Sequence, residues 1–526
     1  NRNGTPVFLI RQPKIFENIY PDGTRQIVQY GFIGRAFVEL VKTMKISPDI
    51  VRLSEPQMMF VAVAMQNDRT FYESLKNGEK SVFDASRIVM TTHTPEKAAL
   101  PVFYDVNWLR GALGNDLVPD SIVIQDGNHR VVNAAEALAQ MASVVNGVSL
   151  EHAEVTKRLV LPSQRWKTTG VQNGSDPKQW YSPQLASRIH QKGVERVSGQ
   201  DLFEAGQQAK EDLNKWLGNK GYNQFTDLSR PTFGALRRLV EYKEQGLLLE
   251  LVRWITGDRD KEYDTPWGKR KGLGSNLFIG GPGRDDVGKD WARRFRELQN
   301  RPELKGKIVF VPDTGVDIMR LAVSASDFWL VLPRHTREAS GTSDQRAGFN
   351  GHKVIATATG GPLDWVVHGQ NGWMIDVFKD RALDDVIHGF ENKDPDVLET
   401  FHREAQRQLG DYMTEAAQQY YDYVERGSDV LLKGMEGSFR SAHQRVNIHT
   451  MVREYGRLFE AVLNGTGASG FESRQVAANS DQRVIDHAVE AFTEEMRMKE
   501  AGKEKVKRLF EGTGNAFDVI AAVEEA

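Results

Sequence analysis

Residues 338–346, reading E-A-S-G-T-S-D-Q-R, open on a carboxylate, close on a guanidinium and carry three hydroxyls around one glycine. They follow the apolar run 328–332 and precede a helical pattern, so Gly341 and its polar neighbours fall on a strand-to-helix turn, where backbone N–H groups cradle phosphates and sugars. A second stretch, R-R-L-V-E-Y-K at 237–243, offers an arginine fork and a compact lysine charge to an anionic group. On an isolated helix the same letters would be a solvated face with a Glu–Lys pair. Their place after T-F-G and before G-G-P-G-R-D-D-V-G-K (280–289), whose Gly281 lets backbone approach a ligand, favours the first reading. Earlier in the chain, His93 in T-T-H-T-P and Asn173 in V-Q-N-G-S-D-P stand as hydrogen-bonding groups at strand ends, or as ordinary turn residues. No paired carboxylates of a glycosidase and no D-x-D pair at a strand end are evident, so neither hydrolysis nor a metal is expected.

These groups need a scaffold, and 526 residues suffice for two large domains plus appendages. Charge is close to balanced, 68 Lys and Arg against 71 Asp and Glu, so no global field favours nucleic acid or an anionic membrane. The absence of cysteine excludes disulfides, thiolate metal sites and a thiol nucleophile. No apolar run approaches the ~20 residues that span a bilayer, and the opening residues lack a signal-peptide core. A cytoplasmic location is therefore expected, with the true start upstream of Asn1 or trimmed, and a homo-oligomer is an open option.

Apolar runs at 7–10, 27–30, 50–53 and 88–92 read as strands, and 36–44, 56–66 and 133–145 as helices. After a polar connection at 226–231, further strand-length runs fall at 247–255, 277–279, 308–311, 328–332 and 354–356. The pattern predicts an α/β protein: an N-terminal Rossmann-like domain (1–225), a C-terminal Rossmann-like domain (226–440), and C-terminal helices (441–526) with a linker near 464–482. Met451, Tyr455, Leu458, Phe459 and Val462 recur at helical spacing, and 486–511 reads as a charged helical segment. Two such α/β domains hold a ligand in the cleft between the carboxyl ends of their strands.

Taken in order, these motifs resemble the α-glucan phosphorylases, within the two-domain GT-B glycosyltransferases. T-T-H-T-P, V-V-N-G-V-S-L-E-H-A-E-V (144–155), V-Q-N-G, R-R-L-V-E-Y-K, the run 307–330 and E-A-S-G-T-S-D-Q-R each have a counterpart in that family. The resemblance implies that His93 donates a hydrogen bond to the transferred sugar, that Asn173 faces it, that Arg238 and Lys243 grip the phosphate and that Glu338 binds sugar hydroxyls. Backbone amides of Ser340, Gly341, Thr342 and Ser343 would hold a phosphate. Asn146 and His152 would shape the acceptor side of the cleft floor, and Glu55, in L-S-E-P-Q, is an acceptor-side candidate. Gly31, Gly34 and Arg35, in Y-G-F-I-G-R, are candidates for a donor-phosphate loop.

In phosphorylases the last residue of the E-A-S-G-T motif is the lysine that forms an imine with pyridoxal phosphate. Here it is Arg346, whose guanidinium stays protonated and forms no imine, so no pyridoxal phosphate is expected. Downstream, A-T-A-T-G-G-P-L-D-W-V-V-H-G-Q-N-G-W-M-I (356–375) resembles the glycine-rich pattern of nucleotide-sugar transferases, in which Gly360 and Gly361 would border the donor diphosphate. The expectation is a retaining glycosyltransferase moving glucose from a nucleotide-diphosphate sugar to a small-molecule or glycan hydroxyl. The alternatives are a diverged phosphorylase using phosphate, or a non-catalytic sugar-binding scaffold.

Overall fold

A computed structural model describes residues 8–10, 15–16 and 23–471. Residues 472–526, with most of the expected linker and the whole charged segment 486–511, lie outside the described residues, as does Val7. Four parallel strands, Ile50–Ser54 (β1), Arg87–Thr92 (β2), Val144–Gly147 (β3) and Thr168–Gly170 (β4), form the first sheet in that order. Their mostly buried, β-branched sequences suit a parallel sheet covered on both faces. One face carries the helices Gly23–Thr43 (α1) and Met59–Leu75 (α2), packed through Ile27, Val38, Phe60 and Val63.

Residues 27–30 therefore belong to a helix and not to a strand, and Y-G-F-I-G-R is helix interior rather than a loop. A Cβ on Gly34 would stand 2.5 Å from the carbonyl oxygen of Phe60, and one on Gly31 2.5 Å from Leu113 Cδ2. These glycines let α1 approach its neighbours, which removes them from the donor site; Arg35 pairs with Asp116 at 2.8 Å. Residues 133–145 also divide: Asn133 caps the helix Ala134–Met141, and the chain enters β3 at Val144.

The second sheet has six parallel strands: Thr232–Leu236 (β5), Asn276–Gly280 (β6), Ile308–Val311 (β7), Phe328–Val331 (β8), Lys353–Thr357 (β9) and Gly372–Ile375 (β10). Their order is β7-β6-β5-β8-β9-β10, so the winding reverses between β5 and β8. That reversal opens a crevice at the carboxyl ends of the two strands. Only Phe233 and Gly234 of β5 pair with β8, so the strands part just below it. Residues 247–255 are not a strand but two short helical turns, Gln245–Leu248 and Val252–Ile255. Their leucines are buried on all sides, which erases the periodicity that separates a strand from a buried helix.

The hydrophobic cores divide the chain near residue 175, earlier than a boundary at 225. Helix Leu150–Val155 (α3) stays with the first sheet. Gly199–Asn219 (α4), opened by a Ser198–Asp201 capping box, packs instead against Val316–Ala325 (α5) and the second sheet. Ser343–Gly348 (α6) follows the E-A-S-G-T loop, and the 32-residue Pro395–Arg426 (α7) and Val430–Arg445 (α8) cover the same sheet. The chain then crosses back. In Ile448–Leu463 (α9), Tyr455, Leu458 and Val462 join Phe471 in covering Val89, Val144 and Val171, the other face of the first sheet. Among the described residues no helix is long and apolar enough to cross a membrane.

The two halves are stitched along a polar seam. Ser149 Oγ donates to Ala339 O at 2.5 Å, and Gln345 Nε2 donates to Asn173 O at 2.7 Å. Glu151, on α3, accepts from Thr359 Oγ1 at 2.7 Å and from Gly360 N at 2.6 Å. Burial, helped by Asp376, outweighs these two bonds and pushes the Glu151 carboxyl up to about 7. Burial pushes Asp344 up to about 6 and carries Asp364, which faces Glu151, well above the carboxylate range.

Two outcomes follow from this packing. Gly34→Ala is expected to lower the denaturation free energy by about 1–3 kcal/mol through overpacking, with ligand affinity of the folded protein unchanged. A raised folded-state pKa means that stability present below the unfolded value is lost as pH rises through the folded one. Between about pH 5 and about pH 8 the melting temperature of the wild type should therefore fall more than that of Glu151→Gln, which keeps an acceptor without a titration. Parallel pH profiles would refute the seam assignment.

Candidate active site

The carboxyl ends of both sheets face one cleft of about 390 Å³, lined from the first by His93, Val148 and Asn173 and from the second by Leu236 to Arg238, Lys243 and 338–343, with Thr314, Met319 and Arg346. At its centre lies Glu338, in the loop after β8, with its side chain only 11% exposed. A carboxylate removed from water needs partners. Lys243 Nζ donates to it at 3.0 Å and Arg237 Nη2 forms a short ion pair with the same oxygen. Burial opposes ionisation, but the charges and hydrogen bonds of Arg237 and Lys243 prevail and hold Glu338 down to about 2. Burial together with the Arg237 charge pulls Lys243 down to about 8.

Of the two adjacent arginines, it is Arg237 that turns inward and Arg238 that stands exposed at the cleft wall. The sequence motif drew attention to Arg238, and Arg237 is the residue missed. Side chains alternate direction along a strand, so two consecutive arginines at a strand end cannot share one direction; that was the available signal. Lys243 sits on the turn Glu241–Lys243, followed by Glu244 in the left-handed region (φ 51°). Arg334, also unforeseen, spans this turn: Nη2 to Glu241 at 3.0 Å, Nε to Glu244 at 2.6 Å, and its N–H to the Tyr242 carbonyl at 2.8 Å. His402 Nε2 lies 3.0 Å from the same Glu244.

On the opposite wall, Glu55 holds His93 through Nδ1 at 2.6 Å and through the backbone N–H at 2.8 Å. Glu55 is not among the residues that line the cleft; what the structure gives it is the orientation of His93. The carboxylate of Glu55 at Nδ1 fixes the orientation of the ring. Asn173 is set by its N–H to Val148 O at 3.0 Å. His152 lies buried beneath, its Nδ1 accepting from Val148 N at 3.2 Å, and burial pulls it down to about 4, which keeps the ring neutral. Asn146 points away from the cleft: its Nδ2 donates to Tyr455 Oη at 2.9 Å, which Arg52 also engages at 2.8 Å, so it ties α9 to the sheet.

Ser340, Gly341, Thr342 and Ser343 line the cleft, Gly341 with φ 72°. Gly281 does not; a Cβ there would overlap the carbonyl of Arg237, and its role is to let the loop after β6 pass under that residue. Gly360 and Gly361 also stay outside. Their N–H groups are taken by Glu151 and by Ser340 O at 2.6 Å, so they back the Glu338 loop instead of meeting a donor diphosphate. Arg346 lies with its guanidinium 3.9 Å from the Trp180 ring centroid and donates to Thr342 Oγ1 at 2.9 Å. The position thus presents a stacked, delocalised cation with no amine to condense with an aldehyde. Lys243 is the single amine lining the cleft among the described residues, and it is engaged by Glu338.

Four cationic side chains thus face one carboxylate, an electrostatic demand for an anionic ligand, while Glu338, His93 and Asn173 supply neutral-hydroxyl partners. No protein-family profile matches the chain. It is similar to a maltodextrin phosphorylase of Thermococcus litoralis, 25% identical over 478 residues, which cover 82% of this chain and 53% of that protein. Glycogen phosphorylases of Aquifex aeolicus (23% over 407 residues, 67% and 56% covered) and Mycobacterium tuberculosis (24% over 379 residues, 62% and 42% covered) are also similar. The chain spans about half the length of the curated relatives it matches. Sheet order, cleft and sequence similarity agree: this chain is phosphorylase-like, with the GT-B fold of two Rossmann-like domains facing a cleft.

Proposed function

We propose that the protein is a retaining hexosyltransferase that moves a sugar, glucose by resemblance, from a phosphate-activated donor to a hydroxyl acceptor. The observation that carries this reading is Glu338, pinned between Arg237 and Lys243 across the cleft from His93 and Asn173. A carboxylate so held cannot swing to act as a nucleophile, but its lone pairs are presented to sugar hydroxyls. Arg238 and Lys243 stabilise the negative charge that grows on the departing phosphate oxygen. The bond from the anomeric carbon to that oxygen breaks, the acceptor oxygen bonds to the same face, and the acceptor proton passes to the leaving phosphate. No step requires a second protein carboxylate.

In this reading the donor is a nucleotide-diphosphate sugar and no pyridoxal phosphate takes part, which accords with a guanidinium at position 346. A cytoplasmic setting fits such a donor and a cysteine-free chain. The second reading, phosphorolysis of a glucan by inorganic phosphate, draws its support from the similarity to maltodextrin and glycogen phosphorylases. Product analysis separates them: a nucleoside diphosphate released from the donor supports the first, and a hexose 1-phosphate formed from glucan and phosphate supports the second. Arg238→Ala is expected to cut turnover about 10²- to 10³-fold while leaving the melting temperature intact, because the residue is exposed. Turnover near that of the wild type would refute its role.

A further inference from the structure

A second cavity, of about 610 Å³, lies between the turn Gln245–Leu248, the helix Asp286–Gln299 and α7, and shares no residue with the cleft. The chain passes from one to the other in a single step: Lys243 lines the cleft and Glu244 the cavity. The floor is apolar, formed by Leu247 and by the indole of Trp291, which packs so closely over Gly246 that a Cβ there would stand 2.5 Å from Cε2. Above it, two buried polar groups are only half used. Glu244 is 3% exposed, and both its partners, Arg334 Nε at 2.6 Å and His402 Nε2 at 3.0 Å, meet the same oxygen, Oε1. Its Oε2 accepts no hydrogen bond among the described residues, yet it keeps accessible surface instead of being sealed in the protein. Gln406, 9% exposed, donates through Nε2 to Leu247 O at 3.2 Å and to Glu250 at 3.3 Å, and its Oε1 is open in the same way.

Both open atoms are acceptors, and the rim adds the exposed carboxylates of Glu250 and Glu399. The arginine of the lining, Arg403, is already held by Glu404 at 3.2 Å. Acceptors and negative charge above an apolar floor ask for a ligand that donates hydrogen bonds, carries positive charge and has an apolar body; an ammonium is attracted by carboxylates and by an indole alike. We propose that this cavity binds a small organic cation, an ammonium on a short apolar stem, and that Glu244 links its occupancy to the cleft. Glu244 anchors Arg334, which also holds Glu241 and the Tyr242 carbonyl, so a cation on Oε2 joins the set of ion pairs that keeps the Lys243 turn in place. The site stands whether the cleft performs transfer or phosphorolysis, since neither reading uses it.

The test is calorimetric titration of the full chain with 1,4-diaminobutane and with butane-1,4-diol, which has the same stem without the charges. The wild type is expected to bind the diamine at least about tenfold more tightly than the diol, and Glu244→Gln, which keeps an acceptor for Arg334 but loses the charge, to weaken the diamine by about tenfold or more. The double variant Glu250→Gln/Glu399→Gln, changed only at exposed positions, should also weaken it and serves if Glu244→Gln does not fold. In the wild type, saturating diamine should slow hydrogen exchange of the amides of residues 241–244 by at least about threefold. Diamine and diol bound alike, or diamine affinity unmoved in the variants, overturns the site. Maltotriose bound in place of the diamine, and lost in the double variant, marks a sugar site and overturns the cation class. Diamine binding that leaves exchange at 241–244 unchanged overturns the link to the cleft.

Discussion

The buried triad of Glu338, Arg237 and Lys243 is the constraint around which the rest of the cleft is arranged. A carboxylate in that place is costly unless two cations reach it, and two cations reach it only because the winding of the second sheet reverses between β5 and β8. One strand delivers the arginine and the turn with the lysine; the other delivers the glutamate. The cations outnumber what one carboxylate can neutralise, and that surplus makes the cleft anion-seeking.

Around the triad, the surrounding contacts serve to hold orientation. Arg334 bridges Glu241 and Glu244 on either side of Lys243, so the lysine cannot drift without breaking two ion pairs. Glu55 does the same for His93 from a backbone at φ 76°, a conformation that a non-glycine residue adopts only where its surroundings demand it. The seam through Ser149, Glu151 and Gln345 sets the distance between the two walls. His93 and Asn173 on one wall and Glu338 with its cations on the other are thereby held at a preset separation.

Much of this arrangement is readable in the sequence, because short linear motifs follow strands and strand ends converge. His93, Asn173, Arg238, Lys243, Glu338 and Arg346 all fall on the cleft lining. What linear reading misses depends on direction and on distant partners. Arg237 and Arg238 differ only in which way each side chain leaves the backbone. Asn146 sits in a motif that resembles cleft floor, yet its partner, Tyr455, comes from more than three hundred residues away. Glycines are the least legible: Gly31 and Gly34 mark a helix crossing, and Gly360 and Gly361 a loop backing, because a missing side chain does not say what comes close. The buried leucines of 247–255 carry no period at all.

Helix α9 has a consequence for how the chain is made. The face of the first sheet presented by Val89, Val144 and Val171 is covered by residues 455–471, more than two hundred and eighty positions after Val171. During synthesis the N-terminal sheet therefore leaves the ribosome with one apolar side bare and waits for the whole second domain to emerge before it is sealed. Chains in this state expose hydrophobic surface, the condition under which chaperone capture competes with aggregation. Tyr455, reaching Arg52 and Asn146 at once, closes that interval.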